Sequence, residues 1–139
     1  MSEYNKLIND INNRKFSPIY LIHGQENYFS DKIIKHLVSN VINEDSADFD
    51  LKKIYGKKSD ENQESEVIDF IKRFPLSGDY NLVVVKDSKN LSNDFNSIIS
   101  YLENLNSKSI LVLAFNENID KRKKIYKSSQ KNGIVFESK

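Results

Sequence analysis

Two stretches of this chain, Leu82 to Val85 and Ser109 to Phe115, are apolar without alternation. That pattern suits strands buried on both faces of a mostly parallel sheet, with helices above and below. Leu82 to Val85 is read as the central strand. Pro18 to His23 (Pro-Ile-Tyr-Leu-Ile-His) predicts a third strand, with proline tolerated at its first residue and Gly24 ending it. Phe49 to Tyr55 alternates instead, with Phe49, Leu51, Ile54 and Tyr55 apolar, as a half-buried edge strand would. Gly56 closes it. Ile134 to Phe136 predicts a last short strand.

The other apolar positions recur at helical spacing. Tyr4, Leu7, Ile8 and Ile11 share one face of a helix over residues 3 to 14 that lids the core. Phe29, Ile33, Leu37 and Val41 recur every four residues from about Asn27 to Ile42. Val67, Phe70, Ile71 and Phe74 stripe a helix that follows the acidic stretch Ser59 to Glu66, whose glutamates suit the positive end of its dipole. Leu91, Phe95, Ile98, Ile99 and Leu102 predict another helix, with Ser92 or Asn93 as N-cap. Asp120 is read as the cap of a helix that begins Lys121-Arg122-Lys123-Lys124 and runs to about Gln130, with Asn132-Gly133 as its stop. One helix, four strand-helix alternations and a final strand make a three-layer α/β domain: a five-stranded, mainly parallel sheet with right-handed crossovers and helices on both faces.

Composition narrows the function. With 21 Lys and Arg against 20 Asp and Glu, the net charge of +1 gives no bulk attraction to nucleic acid or anionic membrane. Cysteine is absent, which excludes disulfides and thiolate metal sites and fits a cytoplasmic protein. The N-terminus has no apolar signal region, and no run approaches the ~20 apolar residues of a membrane span. The chain reads as soluble and unexported.

Four groups of residues could carry chemistry. The turn Gly24-Gln25-Glu26 joins a strand to a helix, where a phosphate-binding loop would sit, but it has one glycine, no lysine in place and an acid where phosphate would be repelled. Lys32 comes too late to serve. His23 and His36 have no companions at metal-ligand spacing, and no nucleophile motif occurs, so no catalytic centre, metal or cofactor is expected. Lys121, Arg122, Lys123, Lys124, Lys127 and Lys131 form a basic run that could track a phosphate backbone or be a solvated helix face. Phe74, Pro75 and Leu76 stand at a corner where polar residues would be usual, before the turn Ser77-Gly78-Asp79. Residue types alone leave open whether they pack inward or await a partner.

In this order, the stretches Pro18 to Tyr28, Phe74 to Asp79, Leu82 to Asp87 and Asp120 to Lys127 resemble the N-terminal domain of the delta subunit of bacterial DNA polymerase III, a clamp-loader subunit. The resemblance implies a P-loop/AAA+-like domain with a degenerate nucleotide site, acting in DNA replication by protein contact rather than catalysis. It implies that Phe74, Pro75, Leu76 and Ser77 form a wedge that docks in a pocket of the sliding clamp, the beta subunit, and favours ring opening. Ser77 departs from the family, where an aromatic or apolar residue is common. Other clamp-loader subunits are implied as partners of the full-length protein, with DNA touched at most indirectly and no membrane. The chain stops at Lys139, after the last strand, so residues 1 to 139 are expected to be one clamp-binding domain without the family's lid and collar domains. The alternatives are an AAA+-type ATPase domain and a nucleic-acid-binding module using the face from Lys121 to Lys131.

Overall fold

A computed structural model describes residues 2–138. In chain order its elements are α1 (Glu3–Asn12), β1 (Ile19–His23), α2 (Asn27–Val41), α3 (Ala47–Asp50), β2 (Leu51–Tyr55), α4 (Gln63–Lys72), β3 (Asn81–Lys86), a single 3-10 turn (Ser88–Asn90), α5 (Asn96–Leu102), β4 (Ser109–Ala114), α6 (Lys124–Asn132) and β5 (Ile134–Glu137). The five strands form one sheet in the order β2-β3-β4-β1-β5, and every neighbouring pair is parallel. The apolar run Leu82 to Val85 is an interior strand, but β4 holds the middle of the sheet, so the expectation that β3 is central is off by one place.

Alternate residues of the interior strands serve two separate cores. Ile19, Leu21, Val83, Val85, Leu111 and Leu113 face α4, α5 and α6, where Val67, Ile71, Ile98, Leu102 and Ile125 meet them. Tyr20, Ile22, Leu82, Val84, Ile110 and Val112 face α1 and α2, against Leu7, Ile11, Ile33, Leu37 and Val41. This two-sided burial is why the interior strands lack polar alternation. Gly133 stands where β5 passes β1, and a Cβ there would lie 2.3 Å from the Ile19 carbonyl oxygen.

The ends of elements depart from the sequence pattern. Phe49 is not in the edge strand: Ala47–Asp50 forms a short helix, and β2 begins at Leu51. Ser92 does not cap a helix; its Oγ accepts the Phe95 N–H at 3.0 Å within the preceding turn, and α5 begins only at Asn96. Asp120 does not cap α6 either. Its carboxylate accepts from Arg122 Nε at 3.1 Å, Arg122 Nη2 at 2.8 Å and the Arg122 N–H at 2.9 Å. The helix starts at Lys124, after three of the cations its dipole would repel.

Candidate functional site

The corner before β3 is built by contacts from three other segments. Pro75 cannot continue α4 and drives Phe74 out of helical conformation, so the chain turns after Lys72. The freed carbonyls at the end of α4 then need donors. Asn106 Nδ2 lies 3.2 Å from the Ile71 oxygen and 3.0 Å from that of Arg73, and Asn81 Nδ2 lies 2.5 Å from the Arg73 oxygen. On the far side of the corner, the fully buried Asp50 carboxylate takes three consecutive backbone N–H groups: Leu76 at 2.6 Å on Oδ1, and Ser77 at 3.0 Å and Gly78 at 2.7 Å on Oδ2. Arg73 completes the frame, with its guanidinium 4.1 Å over the Phe70 ring and donating to the Phe49 carbonyl.

With the backbone held from both sides, the side chains between are turned outward. Phe74 is 71% and Leu76 66% exposed, Ser77 is exposed and Pro75 half-buried. Phe74 therefore does not close the stripe of α4; Val67 and Ile71 enter the core without it. Burial pushes the Asp50 carboxyl up, but the N–H groups of Leu76, Gly78 and Ser77, together with the nearby Arg73 charge, bring it below the ordinary aspartate range. The anion is thus the form this corner is built around.

The Gly24 turn lies at the other end of the sheet, because β1 ends at His23 while the corner precedes the start of the parallel strand β3. Gly24 has φ 127°, and a Cβ there would lie 2.1 Å from the Ser138 carbonyl oxygen. The chain after β5 closes on this turn: the Ser138 N–H donates to the His23 oxygen at 2.7 Å, and its hydroxyl donates to the Glu26 oxygen. Glu26 caps α2 with its own carboxylate, which accepts the Tyr28 N–H at 2.8 Å. Gln25 is exposed. Two spaces adjoin the turn and the α2 N-terminus: an open groove of about 420 Å³ lined by Gln25, Glu26, Asn118, Glu137 and Ser138, and a smaller cavity of about 200 Å³ among Asn27, Asp87 and Asn116.

Lys121, Lys123, Lys124, Lys127 and Lys131 are all exposed, and Arg122 is paired with Asp120, whose carboxyl the hydrogen-bonded guanidinium draws down to about 2. Lys121 lines an open groove of about 530 Å³ with His23, Tyr126 and Glu137. His23 is buried, its Nδ1 accepting the Ile119 N–H at 3.1 Å. His36 is half-buried on α2. Among the described residues there is no cluster of acids and histidines able to hold a metal, and no helix long and apolar enough to cross a membrane.

Asp50, Asn81 and Asn106, which hold the corner, escaped the sequence pattern. Asn81 alone carried a signal, since asparagine is depleted in strands yet opens an apolar run here.

The sequence profile of the DNA polymerase III, delta subunit, family matches residues 20–139. DNA polymerase III subunit delta of Bacillus subtilis (strain 168) is 24% identical over 132 residues, spanning 88% of this chain and 37% of that relative. In structure, the Bacillus subtilis DNA clamp loader delta protein is similar with a TM-score of 0.83 at 21% identity, over 97% of this chain and 42% of that one. A DNA polymerase III gamma subunit-related protein of Thermotoga maritima gives a TM-score of 0.62 at 15% identity, over 99% of this chain and 46% of its own. At these identities the two structures speak for the fold. The chain spans less than half the length of each of these relatives.

Proposed function

The chain belongs to the DNA polymerase III delta subunit family, and we propose that within a bacterial clamp loader its 139 residues act as one domain that binds the sliding clamp through Phe74, Pro75, Leu76 and Ser77. The observation that carries this reading is the outward display of Phe74 and Leu76 on a backbone already clamped by Asp50. An apolar pair in this state leaves water on docking, and little conformational entropy remains to be lost. A clamp held more tightly by this corner when its ring interface is distorted would be biased toward the open ring, since only differential affinity shifts such an equilibrium. The work is done by contact, in the cytoplasm, alongside other clamp-loader subunits. The blocked turn at Gly24, with Ser138 across it and Glu26 on its helix N-terminus, supports a non-catalytic role.

The test is titration of the chain with the sliding clamp of the same organism. Leu76→Ala is expected to weaken binding by roughly 2 kcal/mol or more, about 30-fold, while stability stays within about 0.5 kcal/mol, as for surface substitutions generally. Undiminished affinity per folded molecule, with lost stability, would overturn the proposal.

A further inference from the structure

Phe49 is 53% exposed, and the structure ties it to the corner from two directions. Its own carbonyl accepts the Arg73 guanidinium, one residue before Phe74. The next residue, Asp50, holds the N–H groups of Leu76, Ser77 and Gly78. Phe49 is therefore moored beside both Phe74 and Leu76, although 25 and 27 positions separate them along the chain by simple difference of residue numbers.

The local helix explains why the ring is outside. In α3 and its cap, Ser46 and Asp50 are buried and Ala47 packs against the core, positions that share one face at a spacing of three to four residues. Asp48 and Phe49 fall on the opposite face. Asp50 must point inward to reach the corner, so its neighbour is turned to water. A single exposed phenylalanine needs no explanation. Here, however, two separate segments are hydrogen-bonded together so that three large apolar side chains, 53%, 71% and 66% exposed, stand on the same end of the sheet. Large apolar side chains exposed together at one end of a sheet in this way point to a docking face.

We infer that Phe49 is a third anchor for the sliding clamp, lying beside Phe74 and Leu76 on one continuous apolar surface. The inference rests on the clamp-binding reading of the corner. Phe49 widens the contact from a single loop to a surface drawn from two segments, and Asp50 sets the spacing between them. Ser77, polar at the tip, makes such added apolar area more consequential for affinity.

Four proteins, titrated against the sliding clamp of the same organism, test it: wild type, Leu76→Ala, Phe49→Ala and, as an exposed aromatic at the other end of β2, Tyr55→Ala. Phe49→Ala is expected to weaken binding about 10-fold, as loss of a packed aromatic anchor does. Phe49→Leu should recover most of that loss, and Tyr55→Ala should bind as wild type. A photo-crosslinking benzophenone amino acid at position 49 should also label the clamp, a readout that does not depend on the stability of an alanine variant. Weakening by Leu76→Ala with none by Phe49→Ala, and no crosslink from position 49, overturns the third anchor and leaves the corner standing. Full affinity in both alanine variants overturns the corner, and the third anchor with it.

Discussion

Replacing Asp50 with asparagine keeps the side-chain shape and removes one acceptor oxygen and the charge. Oδ2 of Asp50 holds Ser77 and Gly78, and Oδ1 holds Leu76. If the single amide oxygen keeps the Ser77 and Gly78 pair, the NH2 group faces the Leu76 N–H, donor against donor. One charge-assisted bond is then lost, about 1.5–3 kcal/mol, and the other two fall to neutral strength. Relief of the buried charge offsets part of this, and the half-buried amides can recruit some water. The net cost expected of Asp50→Asn is therefore about 2 kcal/mol, or roughly 6–8 °C in Tm for a chain of this length. Asp50→Ala, which abandons all three donors, should cost about 3–5 kcal/mol, the range for breaking a buried charged network. Urea unfolding measures the first effect, and hydrogen exchange at the amides of residues 76–78 locates it. The acid limb adds a sign: the folded carboxyl titrates below its unfolded value, so its contribution is whole above about pH 4 and is lost as pH falls through the lower folded value. The asparagine variant should lack that part of the acid destabilisation. An asparagine variant within about 0.5 kcal/mol of wild type, with residues 76–78 still protected, would refute the view that Asp50 holds the corner.

Three further outcomes are expected. His23 is held below the usual histidine range chiefly by burial, with Lys121 adding and Glu137 opposing; its neutral form stabilises the fold fully above about pH 6.5, and the unfolded chain takes the proton first as pH falls. Wild-type stability should thus decline as pH falls below about 6.5 toward the lower folded value, with a flatter slope in His23→Leu, and an NMR titration placing His23 at or above 6.5 would contradict this. No saturable, magnesium-dependent ATP binding is expected, since Glu26 and Ser138 occupy the turn a phosphate would need; calorimetry showing micromolar affinity would reverse that. Changing Lys123, Lys124 and Lys127 together to glutamine should leave clamp affinity within about twofold, with DNA binding undetectable at physiological salt, whereas strong, steeply salt-dependent DNA binding by the wild type would favour the nucleic-acid reading.

The strands and the layers were legible in the sequence because burial on two faces, or on one, leaves a local imprint: Leu82 to Val85 and Ile110 to Phe115 could not be so uniformly apolar on a solvated sheet. The element order followed, and with it the parallel sheet. The corner residues Phe74, Pro75 and Leu76 were visible as apolar types in a turn, yet whether they faced in or out was not, since the stripe of α4 could have continued into Phe74. That choice belongs to Asp50, 26 residues before Leu76 and read from the sequence as a polar position of the edge strand Phe49 to Tyr55. The late starts of α5 and α6 have a local origin instead: Ser92 and Asp120 were correct capping types, spent on turns that close on Phe95 and Arg122, three and two residues further on. Periodicity is a property of neighbours along the chain, so it survives without the fold. A buried carboxylate's partners are whichever N–H groups the packed structure carries to it, and no local pattern records which those will be.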